Sequence, residues 1–166
     1  DTRVEKPSSY EGLEILQNVA RMSLTGIPLL NTKDRAHGEA RGLAKFQYGE
    51  MSDFLIKSEI SGRMPYKLRC GDFAEMSPVV GGFGLTLNGA ITYASQGGPI
   101  VVAEDFKLIG DLFAVGVKSY KGNWNIGDQV VIKQNDEVTA VGIAKMVPEE
   151  MISMNRGVAV EVRHHV

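Results

Sequence analysis

Cysteine is nearly absent from this chain: Cys70 is the one cysteine among 166 residues. A single thiol excludes an intramolecular disulfide and a multi-cysteine zinc site, and it fits a reducing cytosol. Histidine is scarce too, with only His37, His164 and His165. The last two are adjacent, so in a regular strand they point to opposite faces. A metal site would need ligands from distant residues, and neither a metal nor a cofactor is expected. An excess of basic charge is also missing. The chain has 18 Lys+Arg against 20 Asp+Glu, a net charge of −2. A pI near 5.9 lacks the footprint of a typical nucleic-acid-binding domain, whose pI exceeds about 9. No apolar run approaches the roughly 20 residues that span a bilayer. No basic segment precedes an apolar one as in a signal peptide. A cytoplasmic location is therefore expected, with no membrane partner.

Catalytic signatures are missing as well. Neither a Gly-x-Ser-x-Gly elbow nor a phosphate-cradling Gly-x-x-x-x-Gly-Lys-Ser/Thr loop occurs. Gly81-Gly82-Phe83-Gly84 is not a Gly-x-Gly-x-x-Gly fingerprint and follows no parallel-sheet signal. It reads as close backbone packing or a bulge. The acid pairs Asp136-Glu137 and Glu149-Glu150 fall at a turn and a helix start, where they are ordinary solvated charges. Cys70 has no neighbouring His or Asn and reads as a small buried residue. No catalytic residue is expected.

What the chain does contain is organised in two parts. The hydrophobic fraction of 43% is enough for a packed core. About 166 residues allow one domain or two small ones. Ser8 and Glu11 fit a capping box, and Leu13, Leu16 and Ala20 follow at helical spacing, predicting a helix over residues 9–23. Gly26 and Pro28 stop it. A second helix is predicted from Lys33 to about Tyr48, carried by Ala36, Ala40, Leu43, Ala44 and Gln47. Gly38 and Gly42 inside it permit close packing or mean a shorter helix. A further turn is expected at Met51–Leu55. Tyr66, Leu68 and Cys70 alternate with Lys67 and Arg69, the period of a half-exposed strand. Cys70-Gly71-Asp72-Phe73 then turns it back. A strand from Val79 to Leu87 and a short helix over Asn88–Ala94 follow. Gly97-Gly98-Pro99 breaks helix and strand alike and marks a boundary. The first part, residues 1–98, is therefore read as α+β, with N-terminal helices and a small antiparallel sheet.

Residues 99–166 read as short strands. They are Ile100–Ala103, Leu112–Lys118 with Phe113, Val115 and Val117 on one face, Gln129–Lys133, Val138–Lys145 and Gly157–Arg163. Pro148, Glu149 and Glu150 open one short helix. Five strands at regular spacing plus a helix predict a small β-barrel.

The barrel blocks carry a resemblance. Phe113-Ala114-Val115-Gly116-Val117, Ile126-Gly127-Asp128-Gln129-Val130-Val131, Ala140-Val141-Gly142-Ile143-Ala144 and Arg156-Gly157-Val158-Ala159-Val160-Glu161-Val162-Arg163-His164 stand in an order that resembles the PUA domain, an RNA-binding pseudobarrel. Upstream, Ala44-Lys45-Phe46-Gln47-Tyr48-Gly49 and Thr86-Leu87-Asn88-Gly89-Ala90 resemble the segments that precede this domain in archaeosine tRNA-guanine transglycosylases. They resemble equally the similar arm of archaeosine synthase. The likeness covers about residues 35–166.

The resemblance implies a role. In the transglycosylase a separate TIM-barrel domain, with aspartates and a bound zinc, exchanges a guanine in the tRNA D-loop. None of that barrel is in these residues. The arm grips the tRNA: the PUA domain holds the acceptor end and the preceding domain helps hold the D-arm open. This chain would then be a non-catalytic, tRNA-binding arm or subunit, with tRNA and a catalytic TIM-barrel chain or domain as partners. Two departures stand beside that reading. Residues 60–80 hold only Arg63, Lys67 and Arg69 as cations, and residues 99–166 hold 7 Lys+Arg against 9 Asp+Glu. Placement counts for more than net charge in RNA binding, so the expected contacts are Lys107, Lys118, Lys121, Arg156 and Arg163, forming a stripe if they share a face. Gly110 and Gly157 would let backbone amides approach a phosphate or terminal nucleotide, and His164 would face the RNA. Trp124 reads as a cover for the barrel edge, with base stacking as the other use. A general PUA-type RNA adaptor and a protein-interaction subunit that never touches RNA stand as alternatives, the acidic balance favouring the latter.

Overall fold

The computed structural model describes residues 32–62, 68–78 and 80–166. Residues Ala36–Val166 form one compact unit. The helix expected over residues 9–23, its capping box and its stop lie outside the described residues. So do Arg63, Tyr66, Lys67 and Val79.

Helix α1 (Thr32–Tyr48) buries Ala40, Ala44 and Tyr48 at four-residue spacing, one face of a 3.6-residue period. A Cβ on Gly38 or Gly42 would meet nothing within 4 Å. These glycines neither admit a close neighbour nor end the helix, and both alternatives raised for them are set aside. A 3-10 turn (Gly49–Ser52) and the single-turn helix α2 (Asp53–Ile56) follow. Strands β1 (Ile60–Ser61), β2 (Arg69–Cys70), β3 (Ala74–Ser77) and β4 (Gly82–Leu85) form an antiparallel sheet in that order. The alternation is as expected: Leu68 and Cys70 are buried while Arg69 is exposed. Gly82 is a close-approach position, because a Cβ there would overlap the Gln47 side chain. Helix α3 (Leu87–Ser95) is capped by the Thr86 hydroxyl, which accepts from Gly89 N–H at 3.1 Å.

The second sheet has six strands: β5 (Ile100–Ala103), β6 (Leu112–Phe113), β7 (Val117–Lys121), β8 (Gln129–Gln134), β9 (Glu137–Ala144) and β10 (Val158–His165). A short helix, α4 (Pro148–Ser153), precedes the last. Their order is β6-β10-β9-β8-β5-β7, with β5 and β8 parallel and every other pair antiparallel. Strands β6 and β7 are the two edges, yet only the 3-10 turn Ala114–Gly116 separates them. Three residues reach about 10 Å at most. The sheet must therefore curl until its edges meet, which makes a pseudobarrel without a hydrogen-bonded seam. The expected α+β part and β pseudobarrel are both present.

One detail differs. The strand expected over Leu112–Lys118 is two short strands broken by that turn. Leu112 and Ala114 go inside, while Phe113 and Val115 are 52% and 72% exposed. The inside–outside alternation thus persists through the turn, with Phe113 and Val115 on the solvent side.

Strand period divides the core in two. On β8, Val130 and Ile132 face the barrel interior with Leu112, Trp124, Met151 and Val160. Val131, between them, packs outward with Val141 against Tyr48, Phe83, Leu85 and Tyr93. The α+β part thus covers the outer face of the barrel wall. A polar joint crosses this packing. Gln129 Nε2 donates to Phe83 O at 2.7 Å and to the Tyr48 hydroxyl, and its Oε1 accepts from Leu85 N–H at 2.8 Å. Gln47 Oε1 accepts from Phe83 N–H at 2.8 Å. Burial pushes both phenols of this core up, that of Tyr93 to about 12.

Candidate nucleic-acid interface

The loop joining β5 to β6 contains Lys107, Ile109 and Gly110. It runs off the barrel and is fixed at both ends. At its start the buried Gln134 amide donates to Glu104 O at 2.7 Å and to Phe106 O at 2.8 Å. At its end Asp111 Oδ1 accepts from Val162 N–H on β10 at 3.0 Å. Between these anchors Gly110 has φ +76°, and a Cβ on it would meet nothing within 4 Å. Gly110 therefore allows a left-handed turn whose backbone faces open space. Lys107 is exposed beside it.

Apolar surface adjoins the loop. Phe106, Ile109, Phe113 and Val115 are 41%, 76%, 52% and 72% exposed. A cavity of about 340 Å³ lies among Glu104, Phe106, Asp111, Phe113, Val115 and Gly116. Phenyl faces bordering a charged loop suit nucleobases, which stack on aromatic rings while cations meet the phosphates. Gly116 sets the cavity floor, since a Cβ there would stand 2.9 Å from the Phe106 ring.

The expected contacts do not all gather here. Hydrogen bonding between Val162 and Asp111 places Arg163 next to the end of the loop. Arg156 and Gly157 lie at the other end of β10, where Gly157 O accepts from Ala114 N–H at 2.9 Å. At roughly 3.3 Å per strand residue, Arg156 and Arg163 are on the order of 20 Å apart. Gly157 has φ +98°, and a Cβ there would strike the Met146 methyl at 2.7 Å. Lys118 and Lys121 are exposed on β7, and Lys118 follows Val117, the partner of Ala103 at the start of the loop. Lys121 pairs with Ile100 and is distant from the loop. Arg163 is paired with Glu161, which also binds Lys145. The Lys145 hydrogen bond first, and the Arg163 charge with it, hold the Glu161 carboxyl below its usual value. Trp124 is 4% exposed, and its indole N–H donates to Met146 O at 3.0 Å. Its ring meets Tyr120 edge to face. It is packed in the barrel core, and its ring is not available for stacking.

His164 and Arg163 also line an open cleft, together with Arg69, Asp72, Asn88 and His165. Adjacent histidines on a regular strand would face apart. Here the register of β10 against β9 shifts between Val162 and His164, and such a bulge re-aims side chains. Arg69 and Asn88 were not among the expected contacts. Strand alternation placed Arg69 on the solvent side, but nothing local linked it to residues almost a hundred positions away. Among the described residues, no three His, Cys, Asp or Glu come together as a metal site would require. No helix among them is long and apolar enough to cross a membrane.

Comparison with known proteins agrees with this geometry. Residues 102–166 match the PUA domain family, so the pseudobarrel is a PUA domain. Archaeosine synthase from Haloferax volcanii is 30% identical over 170 residues, 96% of this chain and 28% of that protein. Archaeosine synthase subunit alpha from Methanosarcina acetivorans is 30% identical over 175 residues, 98% of this chain and 28% of that protein. The chain thus spans less than a third of the length of these relatives. A conserved PUA domain protein from Thermoplasma acidophilum shares the fold, with a TM-score of 0.54 at 20% identity over 75% of this chain and 89% of that one. The likeness to the archaeosine proteins extends beyond the PUA domain into the α+β part.

Proposed function

We propose that this chain is an RNA-gripping module of archaeosine tRNA modification, holding tRNA for a catalytic domain or subunit that lies outside these residues. The observation that carries the reading is the run of similarity to archaeosine synthases along nearly the whole chain, α+β part included. A bare PUA adaptor would need only residues 102–166.

The loop around Lys107 and Gly110 takes the unpaired 3′ end of the tRNA. Its backbone turns toward the terminal phosphates, Lys107 and Arg163 neutralise them, and Phe106 and Phe113 receive the end bases. The chain itself makes and breaks no bond. Its partner supplies the chemistry on the D-loop base, and a TIM-barrel transglycosylase fits that description. Work on tRNA places the module in the cytoplasm. Residues 1–98 and 99–166 act as the two halves of the grip.

The test compares folded archaeal tRNA with the same tRNA trimmed of its unpaired 3′ nucleotides. Trimming is expected to weaken binding at least tenfold, and K107A is expected to lose most of that difference. Equal affinity for both RNAs would contradict the assignment of the loop. A second reading, a protein-interaction subunit that leaves RNA alone, is favoured by the net charge of −2. It predicts no tRNA binding at any salt concentration.

A further inference from the structure

We propose that the cleft between the β2–β3 hairpin and the end of β10 takes one unpaired nucleotide of the bound RNA, at a second place on the grip. The proposal rests on the RNA reading above and shares Arg163 with it, while Arg69, Asp72, Asn88, His164 and His165 are its own. The cleft has a volume of about 660 Å³ and is open to solvent, within the range of small-ligand sites. Its two walls come from the two parts of the fold. Arg69 and Asp72 stand on the hairpin and Asn88 lies in the first turn of α3, while Arg163, His164 and His165 end β10. Three consecutive residues of β10 line the cleft, next to the register shift between Val162 and His164, whereas successive side chains of a regular strand face apart.

The chemistry is that of a nucleotide rather than of a bare phosphate. Two guanidiniums offer planar donor forks to a phosphodiester, and guanidinium and imidazole planes also stack on splayed bases. Asn88 offers a donor and an acceptor, and Asp72 an acceptor, which suit the edge of a base. The acids keep the cleft from being a simple anion sink. Arg69 is held by Glu75 at 3.0 Å, and Arg163 by Glu161. A ligand must therefore offer more than negative charge to settle here. The Arg69–Glu75 pair is exposed on both sides, so it can open without unfolding the sheet.

The experiment measures equilibrium binding of the 166-residue chain to folded archaeal tRNA, to a short single-stranded RNA and to a duplex of the same sequence. R69A and H165A are each expected to weaken single-strand and tRNA binding about 5- to 100-fold, the effect of losing one stacked or clamped base. Duplex binding should hardly change. E75Q, which removes the charge that holds Arg69, is expected to tighten single-strand binding, a gain that mere structural damage does not produce. Thermal unfolding of all three variants should match that of the parent, because the substituted side chains are solvent-exposed. If the parent binds tRNA and K107A weakens it, while R69A, H165A and E75Q bind as the parent does, the cleft is overturned and the proposed function stands. If the parent binds neither tRNA nor single strand, the function falls and the cleft falls with it.

Discussion

Gly38 and Gly42 lie on the exposed face of α1, where an added Cβ has open space. Each costs helix stability relative to alanine, and neither returns packing. G38A and G42A are each expected to stabilise the protein by about 0.5–1 kcal/mol, read as a higher denaturation midpoint. Gly89 is the opposite case. A Cβ there would lie 1.9 Å from Phe73 O, which also accepts from Thr86 N–H at 2.9 Å. G89A must displace backbone and is expected to destabilise by about 3 kcal/mol. The same sequence symbol thus stands for two situations, and helical periodicity cannot separate them. Cys70 was legible from its alternating strand and is 1% exposed. Burial pushes its thiol up to about 11, partly offset by a hydrogen bond with Ser58. A thiol whose folded value is raised favours the folded state below its unfolded value, near pH 9, and loses that advantage as pH rises through about 11. At pH 8 a thiol reagent should label the native protein very slowly and the urea-unfolded chain rapidly. Fast labelling of the native state would contradict the burial.

Elements were readable where a local signal sets them. Asn135 and Asp136 make the β8–β9 turn with φ +50° and +65°, a hairpin geometry those residue types tolerate. Pro148 with two following acids starts α4 as expected. The break between β6 and β7 was not readable, because it arises from the two sheet edges meeting. The polar joint was hidden for a similar reason: Gln129 acts on Tyr48 and Phe83, each more than 40 positions away. Q129A leaves Leu85 N–H without its partner beneath the packed α+β part, and about 2 kcal/mol of stability should be lost. Gln134 does comparable work for the candidate interface. Q134A should speed amide hydrogen exchange in the β5–β6 loop and weaken tRNA binding, while K107A should weaken binding with exchange unchanged. Unaltered exchange in Q134A would show that the loop does not depend on this clamp.

At the scale of the whole molecule, a net charge of −2 has to be reconciled with the proposed grip on a polyanion. The cations are dispersed: Lys107 and Arg163 near the loop, Arg69 across the second cleft, Arg156 at the far end of β10, and Lys118 and Lys121 on the other edge strand. Two of them, Arg69 and Arg163, already have acidic partners. Such an arrangement fits a few phosphate contacts in the proposed grip, with stacking and shape supplying the rest. Fold class was legible in the sequence because strand spacing and turn residues are local. The composition of each site was not, since the loop, the bulge and the cleft assemble residues from both ends of the described chain. The most direct measurement is the salt dependence of tRNA binding by the 166-residue chain. With two to four phosphates neutralised, a plot of log K against log salt should slope between about −1.5 and −3.5. R163A should reduce that slope by about one. A chain that binds no tRNA at low salt, or a flat plot, would contradict the account.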